Sequence, residues 1–295
     1  MVLDASADVE KIAGMVDFVF CAVDMKKEEI RALEEAYAKA EVPVVSNNSA
    51  HRWTDDVPMV VPEMNPEHLE VIAAQRKRLG TQRGFIAVKS NCSIQSYAPA
   101  LHPLLKYGID KVLVCTYQAI SGAGKTFERW PEMVDNLIPY IGGEEEKSEQ
   151  EPLKVWGKVE DGKIVKADGP AITAQCLRVP VSDGHTAAVF VTFRQKPSME
   201  EIKADLGRTS RAAPRSWSSP PPPSSSSTIL RSPTVPRPGW TGIWRAAWPS
   251  PWAVCAPIPS TTTSSWACPT TPCAAPPAAP SCWPSCCARK GIFNG

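Results

Sequence analysis

The acidic residues stop at Asp205. All 31 Asp and Glu of this 295-residue chain come before residue 206, whereas 18 of its 30 prolines, seven of its ten tryptophans and six of its ten cysteines come after residue 207. A stretch of that composition cannot continue an alternation of amphipathic helices and strands, so a cooperative fold has to be built from about residues 1–206. The last ~85 residues are expected to be irregular or disordered. A linker reading suits Pro220 to Ser227, PPPPSSSS, but linkers do not carry seven tryptophans. A zinc site is not expected either, because Cys268, Cys273, Cys282, Cys286 and Cys287 enclose no His and form no C-x-x-C pair.

Translation in another reading frame accounts for the tail. Tryptophan has a single codon, TGG, so reading from its third base turns Trp240-Thr241 into an aspartate, Trp248-Pro249 into an alanine and Trp266-Ala267 into a glycine. With free third bases chosen permissively, Trp240 to Pro249 becomes LDRDLEGGMA and Ala267 to Ala279 becomes LSHNTLRGAAGGA. Charges and glycines return, and residues from about 212 to 287 are read as frame-shifted.

Elsewhere the composition is ordinary. At roughly 100–200 residues per domain the chain holds one large domain or two, and 43 % hydrophobic residues provide a core. The net charge of +1 offers no field for nucleic acid or an anionic membrane. No apolar run reaches the roughly 18 residues of a spanning helix, and MVLDASADVEK lacks a signal-peptide pattern, so a cytoplasmic location is expected.

Residues 1–206 read as an α/β protein. Strands are expected at Asp17–Val23, Val42–Ser46, Gly84–Lys89, Asp110–Ala119, Ala171–Val181 and Thr186–Phe193, with an amphipathic helix over Met25–Ala40 and another starting at Asn65-Pro66. Ser90-Asn91-Cys92-Ser93 opens the apolar helical stretch Ile94–Leu105. Ser198 to Glu201 has the S-x-x-E form of a capping box. A glycine-rich strand–turn–helix that would cradle a pyrophosphate does not precede Asp17. Either the protein binds no dinucleotide or the chain lacks its own beginning.

Several residues could carry chemistry, and each has a plainer description. Cys92, after a strand and at a helix start, suits a thiolate nucleophile; it also suits a buried, inert thiol. Cys21, Cys115 and Cys176 lie inside apolar strands and take the inert description. His185, in the turn Ser182 to His185, is expected to project from a rim as a general base or a solvated loop histidine. Arg178 could clamp an anion or make a surface ion pair. Ser121, Gly122, Ala123 and Gly124 permit close backbone approach to a ligand, and Asn47 follows Ser46 at a strand's carboxyl end, where open α/β sheets bind ligands. Glu144 and Lys147 belong to a charged run that could simply be a solvated helix start.

In order, SNCS around Cys92, TYQAISGAG (Thr116 to Gly124), NLIPYIGGEEEK (Asn136 to Lys147) and AQCLRVPVSDGHT (Ala174 to Thr186) resemble the aspartate-semialdehyde dehydrogenase family, in its archaeal and fungal branch. SNNSAHR (Ser46 to Arg52) and VPEMNPEHL (Val61 to Leu69) are similar to that family's nucleotide domain. The resemblance covers about residues 10–206, and the re-read tail strings resemble the family's carboxyl-terminal region. It implies a truncated, Rossmann-like NADP-binding domain over 1–90, an incomplete α+β catalytic and dimerisation domain over 91–206, and a tail over 207–295.

The activity implied is NADP- and phosphate-dependent interconversion of L-aspartate 4-semialdehyde and L-4-aspartyl phosphate, in lysine, threonine and methionine biosynthesis, by a homodimer or tetramer. Carried over by motif, Cys92 is the nucleophile and His185 the proton carrier. Arg178, Glu144, Lys147, Gln118 and Asn91 bind substrate, while Ser46, Asn47 and Ser121 to Gly124 approach the nucleotide. With the phosphate-binding turn absent and the tail in another frame, the polypeptide is expected to be impaired. The rival readings are a related thiol-dependent acyl reductase, acting on N-acetyl-glutamyl phosphate or malonyl-CoA, and a non-enzymatic module that offers its Pro-rich segment 214–238 to aromatic grooves.

Overall fold

The computed structural model describes residues 3–212, with side chains through 208, and the backbone of residues 256–257 and 265–273. In chain order its elements are α1 (Val9–Ala13), β1 (Val19–Cys21), α2 (Lys27–Lys39), β2 (Val44–Ser46), α3 (Ile72–Leu79), β3 (Ile86–Val88), α4 (Ala98–Leu101), β4 (Ile109–Gln118) and α5 (Glu144–Val155). They continue with β5 (Lys158–Glu160), β6 (Lys163–Val165), β7 (Ala171–Arg178), β8 (His185–Phe193), α6 (Met199–Ala212), β9 (Ala256–Pro257) and β10 (Ser265–Cys273). Helix α6 thus runs past residue 207, and β10 pairs antiparallel with β8. The rest of the expected irregular tail lies outside the described residues, as do the Pro-rich segment 214–238 and the side chains of the Cys268 to Cys287 run. Among the described residues no helix is long and apolar enough to cross a membrane.

The chain divides into two units, the first of which comprises residues up to Asn91 together with Leu153–Asp168. Its sheet is parallel, in the order β1-β2-β3, as crossover helices α2 and α3 require. Helix α2 buries Ile30, Leu33 and Tyr37, as an amphipathic helix does. Gln75 on α3 is fully buried and replaces missing backbone partners: its amide nitrogen donates to the carbonyls of Asp56 and Ile86, and its oxygen accepts from Ile86 N–H at 2.6 Å. Gly84 has to be glycine, because a β-carbon there would lie 1.8 Å from the Ala38 carbonyl oxygen. This Rossmann-like α/β layer carries the turn Asn47-Asn48 at the carboxyl end of β2.

The second unit comprises Cys92–Pro152 and the described residues from Gly169 onward. Its sheet runs β7-β4-β8-β10-β9, with β7 parallel to β4 and β8 antiparallel to it. Alternation is strict on the central strands. Val112, Val114, Thr116 and Gln118 face inward on β4, as do Ala174, Cys176 and Arg178 on β7 and Ala187, Val189, Val191 and Phe193 on β8. The opposite face leaves Leu113 51 % and Phe190 38 % exposed.

Two local expectations change. The stretch Ile94–Leu105 is not one helix: a 3-10 turn at Ile94–Ser96, the four residues of α4, and a 3-10 turn at His102–Tyr107 follow one another. Pro99 and Pro103 supply the reason, since neither can donate to a helical ladder. His185 does not project from a rim. It opens β8 and is 2 % exposed.

Candidate active site

Pairing between strands, which no sequence spacing displays, builds the centre of the site. Gln118, the last residue of β4, pairs with Arg178, the last of β7, while Tyr117 pairs with Thr186 on β8. With a period of two, Arg178, Gln118 and His185 therefore lie on the same inward face at one end of three adjacent strands. A layer of apolar residues, Val112, Val114 and Val189 among them, holds that face below them.

Cys92 meets this row at His185, whose Nε2 stands 3.3 Å from its sulfur. Because Cys92 does not begin a long α-helix, a helix dipole does not account for its environment. The imidazole and a guanidinium do. Arg178 is buried, which pulls its pKa below the usual arginine value, and its electrostatic coupling to the groups it faces, Cys92 and Glu144 first, opposes that shift. One Arg178 nitrogen donates to the Ala119 carbonyl at 2.8 Å, and the planar fork keeps further donors for an anion. Cys21 and Cys176 are thiols of a different kind. Burial pushes Cys21 up to about 12, with Glu34 adding to the shift, and burial raises Cys176 as well.

Glu144 and Lys147 occupy the first turn of α5, three residues apart and bonded at 2.7 Å. The other Glu144 oxygen accepts from the Gln118 amide at 3.4 Å. The charged run is therefore partly drawn into the site. Helix α5 contains Pro152, which cannot donate to the Ser148 carbonyl four residues earlier. The hydroxyl of fully buried Tyr97 donates to that carbonyl at 2.6 Å, and the Ser93 and Ser148 hydroxyls meet at 2.8 Å. Residues just after Cys92 thus tie down the helix that presents Glu144 and Lys147.

The loop after β4 closes over the row. Gly122 lies so near His185 and Arg178 that a β-carbon on it would come within 2.9 Å of both side chains. Gly122, Ala123 and Gly124 are exposed, and Ser121 donates its N–H to the Ser182 carbonyl at 3.2 Å. Asn91, immediately before Cys92, is buried.

The first unit places the other expected nucleotide residues. Asn47 is exposed at the carboxyl end of β2, its N–H donating to the Cys21 carbonyl at 2.8 Å. Ser46 is not displayed; its hydroxyl donates to buried Glu34 and accepts from Asn48 N–H, so it shapes the turn.

One contributor to the site, and one buried support of the first unit, have no sequence signal. Ala119 acts through its backbone. Lys154 looks like part of a solvated charged helix, yet its ammonium is buried and donates to the carbonyls of Arg52, Thr54 and Val57. Among the described residues no cluster of His, Cys, Asp and Glu could hold a metal ion.

Comparison with known proteins finds semialdehyde dehydrogenases. A family model for the semialdehyde dehydrogenase NAD binding domain matches residues 1–72, and one for the semialdehyde dehydrogenase dimerisation domain matches residues 101–238. The aspartate-semialdehyde dehydrogenase of Archaeoglobus fulgidus is 45 % identical over 188 residues, covering 64 % of this chain and 54 % of that protein. The Saccharomyces cerevisiae enzyme of the same name is 41 % identical over 203 residues, covering 64 % and 55 %. The crystal structure of the Candida albicans aspartate-semialdehyde dehydrogenase with NADP matches with a TM-score of 0.67 at 28 % identity, covering 86 % of this chain and 72 % of that one. The chain spans about half the length of the curated relatives it matches.

Proposed function

Since this chain belongs to the semialdehyde dehydrogenase family, we propose that its second unit carries the thiol centre of an aspartate-semialdehyde dehydrogenase. The reaction is the interconversion of L-aspartate 4-semialdehyde and L-4-aspartyl phosphate, a step of amino-acid biosynthesis in the cytoplasm that leads to lysine, threonine and methionine. The observation that carries the proposal is the 3.3 Å approach of His185 Nε2 to the Cys92 sulfur, beside Arg178 and Gln118.

The Cys92 thiolate attacks the aldehyde carbon, and the carbonyl electron pair moves onto oxygen, within reach of His185 and of Asn91. Loss of hydride from that carbon leaves an acyl thioester on Cys92. Inorganic phosphate then displaces the sulfur, releasing the acyl phosphate and restoring the thiolate. Arg178 receives the α-carboxylate through its fork of donors, Glu144 the α-ammonium and Lys147 the phosphate, while the Gln118 amide orients the acyl group.

NADP supplies the hydride acceptor when bound. The first unit fits part of it by itself: exposed Asn47 stands at the carboxyl edge of a parallel sheet. A neutral side-chain amide suits ribose and carboxamide groups. A glycine-rich pyrophosphate turn is not present among the described residues before β1, which α1 alone precedes.

The partner proposed is a second copy of the chain. Leu113 and Phe190 make the outer face of the second unit's sheet apolar, in the region similar to a dimerisation domain. The relatives favour the semialdehyde enzyme over the N-acetyl-glutamyl-phosphate and malonyl-CoA reductases.

The test is NADPH formation on adding aspartate 4-semialdehyde, with and without phosphate. Phosphate-dependent formation that Arg178→Lys weakens through a KM raised about tenfold is expected. A preference for a coenzyme A thioester, or indifference to phosphate, overturns the proposal.

A further inference from the structure

Among the described residues β7 is the outermost strand of the second unit's sheet, so every second backbone N–H along it points away from β4 and needs a partner elsewhere. At three successive outward positions that partner is protein. The Ala174 N–H donates to a Glu149 carboxylate oxygen at 3.1 Å, the Cys176 N–H to a Glu145 carboxylate oxygen at 3.3 Å, and the Arg178 N–H to the Ile138 carbonyl at 2.9 Å. Water ordinarily serves such an edge; here two acids of α5 do.

The spacing matches two repeats. Glu145 and Glu149 are four residues apart on a helix, about 6 Å of rise, while Ala174 and Cys176 are one strand period apart, about 6.7 Å. Helix and strand run in opposite senses, since the later glutamate takes the earlier amide. The Ser148 hydroxyl adds a contact from the same helix, 3.5 Å from the Cys176 sulfur.

We propose that Glu145 and Glu149 are positioning residues of the substrate site, which clip α5 to the edge of β7 and so fix Glu144, one residue before the clip, relative to Arg178, two residues beyond it. The inference rests on the proposed function, in which Glu144 receives the α-ammonium and Arg178 the α-carboxylate. Both groups are bonded to one carbon, so their separation is set covalently and a helix displaced by about 1 Å along β7 puts one of them out of reach. Tyr97 and Ser93 hold the same helix at Ser148. Without the clip, α5 keeps that anchor and can turn about it.

The clip is a property of the free chain and is measured without substrate. In the full chain labelled with nitrogen-15, Glu149→Ala is expected to speed hydrogen exchange of the Ala174 amide about tenfold, and Glu145→Ala that of Cys176 by a similar factor, with the Val114 and Val189 amides unchanged. Unaltered exchange at Ala174 and Cys176 overturns the proposal.

The second arm reads the site. The double alanine variant is expected to raise KM for aspartate 4-semialdehyde about tenfold and to lower kcat by less than about threefold. Because both glutamates are only partly buried, water takes over the two donors and the melting temperature should fall by no more than about 2 °C. The double glutamine variant, whose amide oxygens still accept, should restore KM to within about twofold of the parent chain. A KM unchanged by alanine, or raised equally by glutamine, overturns the proposal. A parent chain that protects both amides yet forms no NADPH from the semialdehyde would contradict the proposed function, and with it the positioning role, while the clip itself stands.

Discussion

Gly122 lies against the His185 ring so closely that a β-carbon built on it would sit 2.7 Å from Cε1. The same carbon would approach Arg178 to 2.9 Å, so neither neighbour can yield without moving a member of the proposed site. Gly122→Ala is expected to lower kcat about 100-fold at a stability cost of about 1–3 kcal/mol. Gly80→Ala is the control: it meets open space and bears only the strain of φ +72, so it should cost about 1 kcal/mol in a melting experiment and leave kcat near wild type.

Tyr97 is the link between the segment after Cys92 and helix α5. Its hydroxyl replaces the N–H that Pro152 cannot offer to the Ser148 carbonyl. Tyr97→Phe leaves that carbonyl buried and unpaired, at an expected cost of about 1–2 kcal/mol in chemical denaturation. Because α5 presents Glu144 and Lys147, KM for semialdehyde and phosphate should rise more than kcat falls.

The thiols should separate by reactivity. Cys21, pushed up to about 12 by burial and by Glu34, and Cys176, raised by burial, are almost wholly protonated in mildly alkaline solution. Brief alkylation with iodoacetamide followed by peptide mapping is expected to label Cys92 first and these two last. Equal labelling of Cys92 and Cys21 in the native chain would contradict the site as described.

The sheet was legible from sequence because its strands obey the period of two, and α6 because Ser198 and Glu201 form the capping pair their spacing announces, with Ser198 N–H donating to the Glu201 carboxylate at 2.7 Å. The hairpin β5–β6 and the return of Leu153–Asp168 to the first unit were not, since short, charged strands such as Lys158–Glu160 carry no apolar alternation. Individual site residues could be named from motifs, but the row joining Arg178, Gln118 and His185 depends on register between distant strands. Ala119 and Lys154 were invisible for opposite reasons: one acts through backbone, the other buries a charge that composition assigns to water.

Asp205 anchors α6. Burial alone would raise its pKa, but hydrogen bonds from Lys106, Tyr107 and Arg208 outweigh burial and hold it at about 2. A folded-state value below the unfolded one stabilises the fold above the unfolded pKa of 3.8, and that contribution disappears as pH falls toward 2. With Lys106 and Arg208 largely solvated, its size is about 1 kcal/mol. Asp205→Asn should therefore lower the melting temperature at neutral pH and converge with the parent chain near pH 2.

The most direct measurement is the identity of the acylated atom. The chain is incubated with aspartate 4-semialdehyde and NADP in the absence of phosphate, quenched in acid and mapped by mass spectrometry. An aspartyl group in thioester linkage to Cys92, released by added phosphate and absent from Cys92→Ala, is the expected result. An acyl group on any other residue, or NADPH formation that persists in Cys92→Ala, would contradict the account.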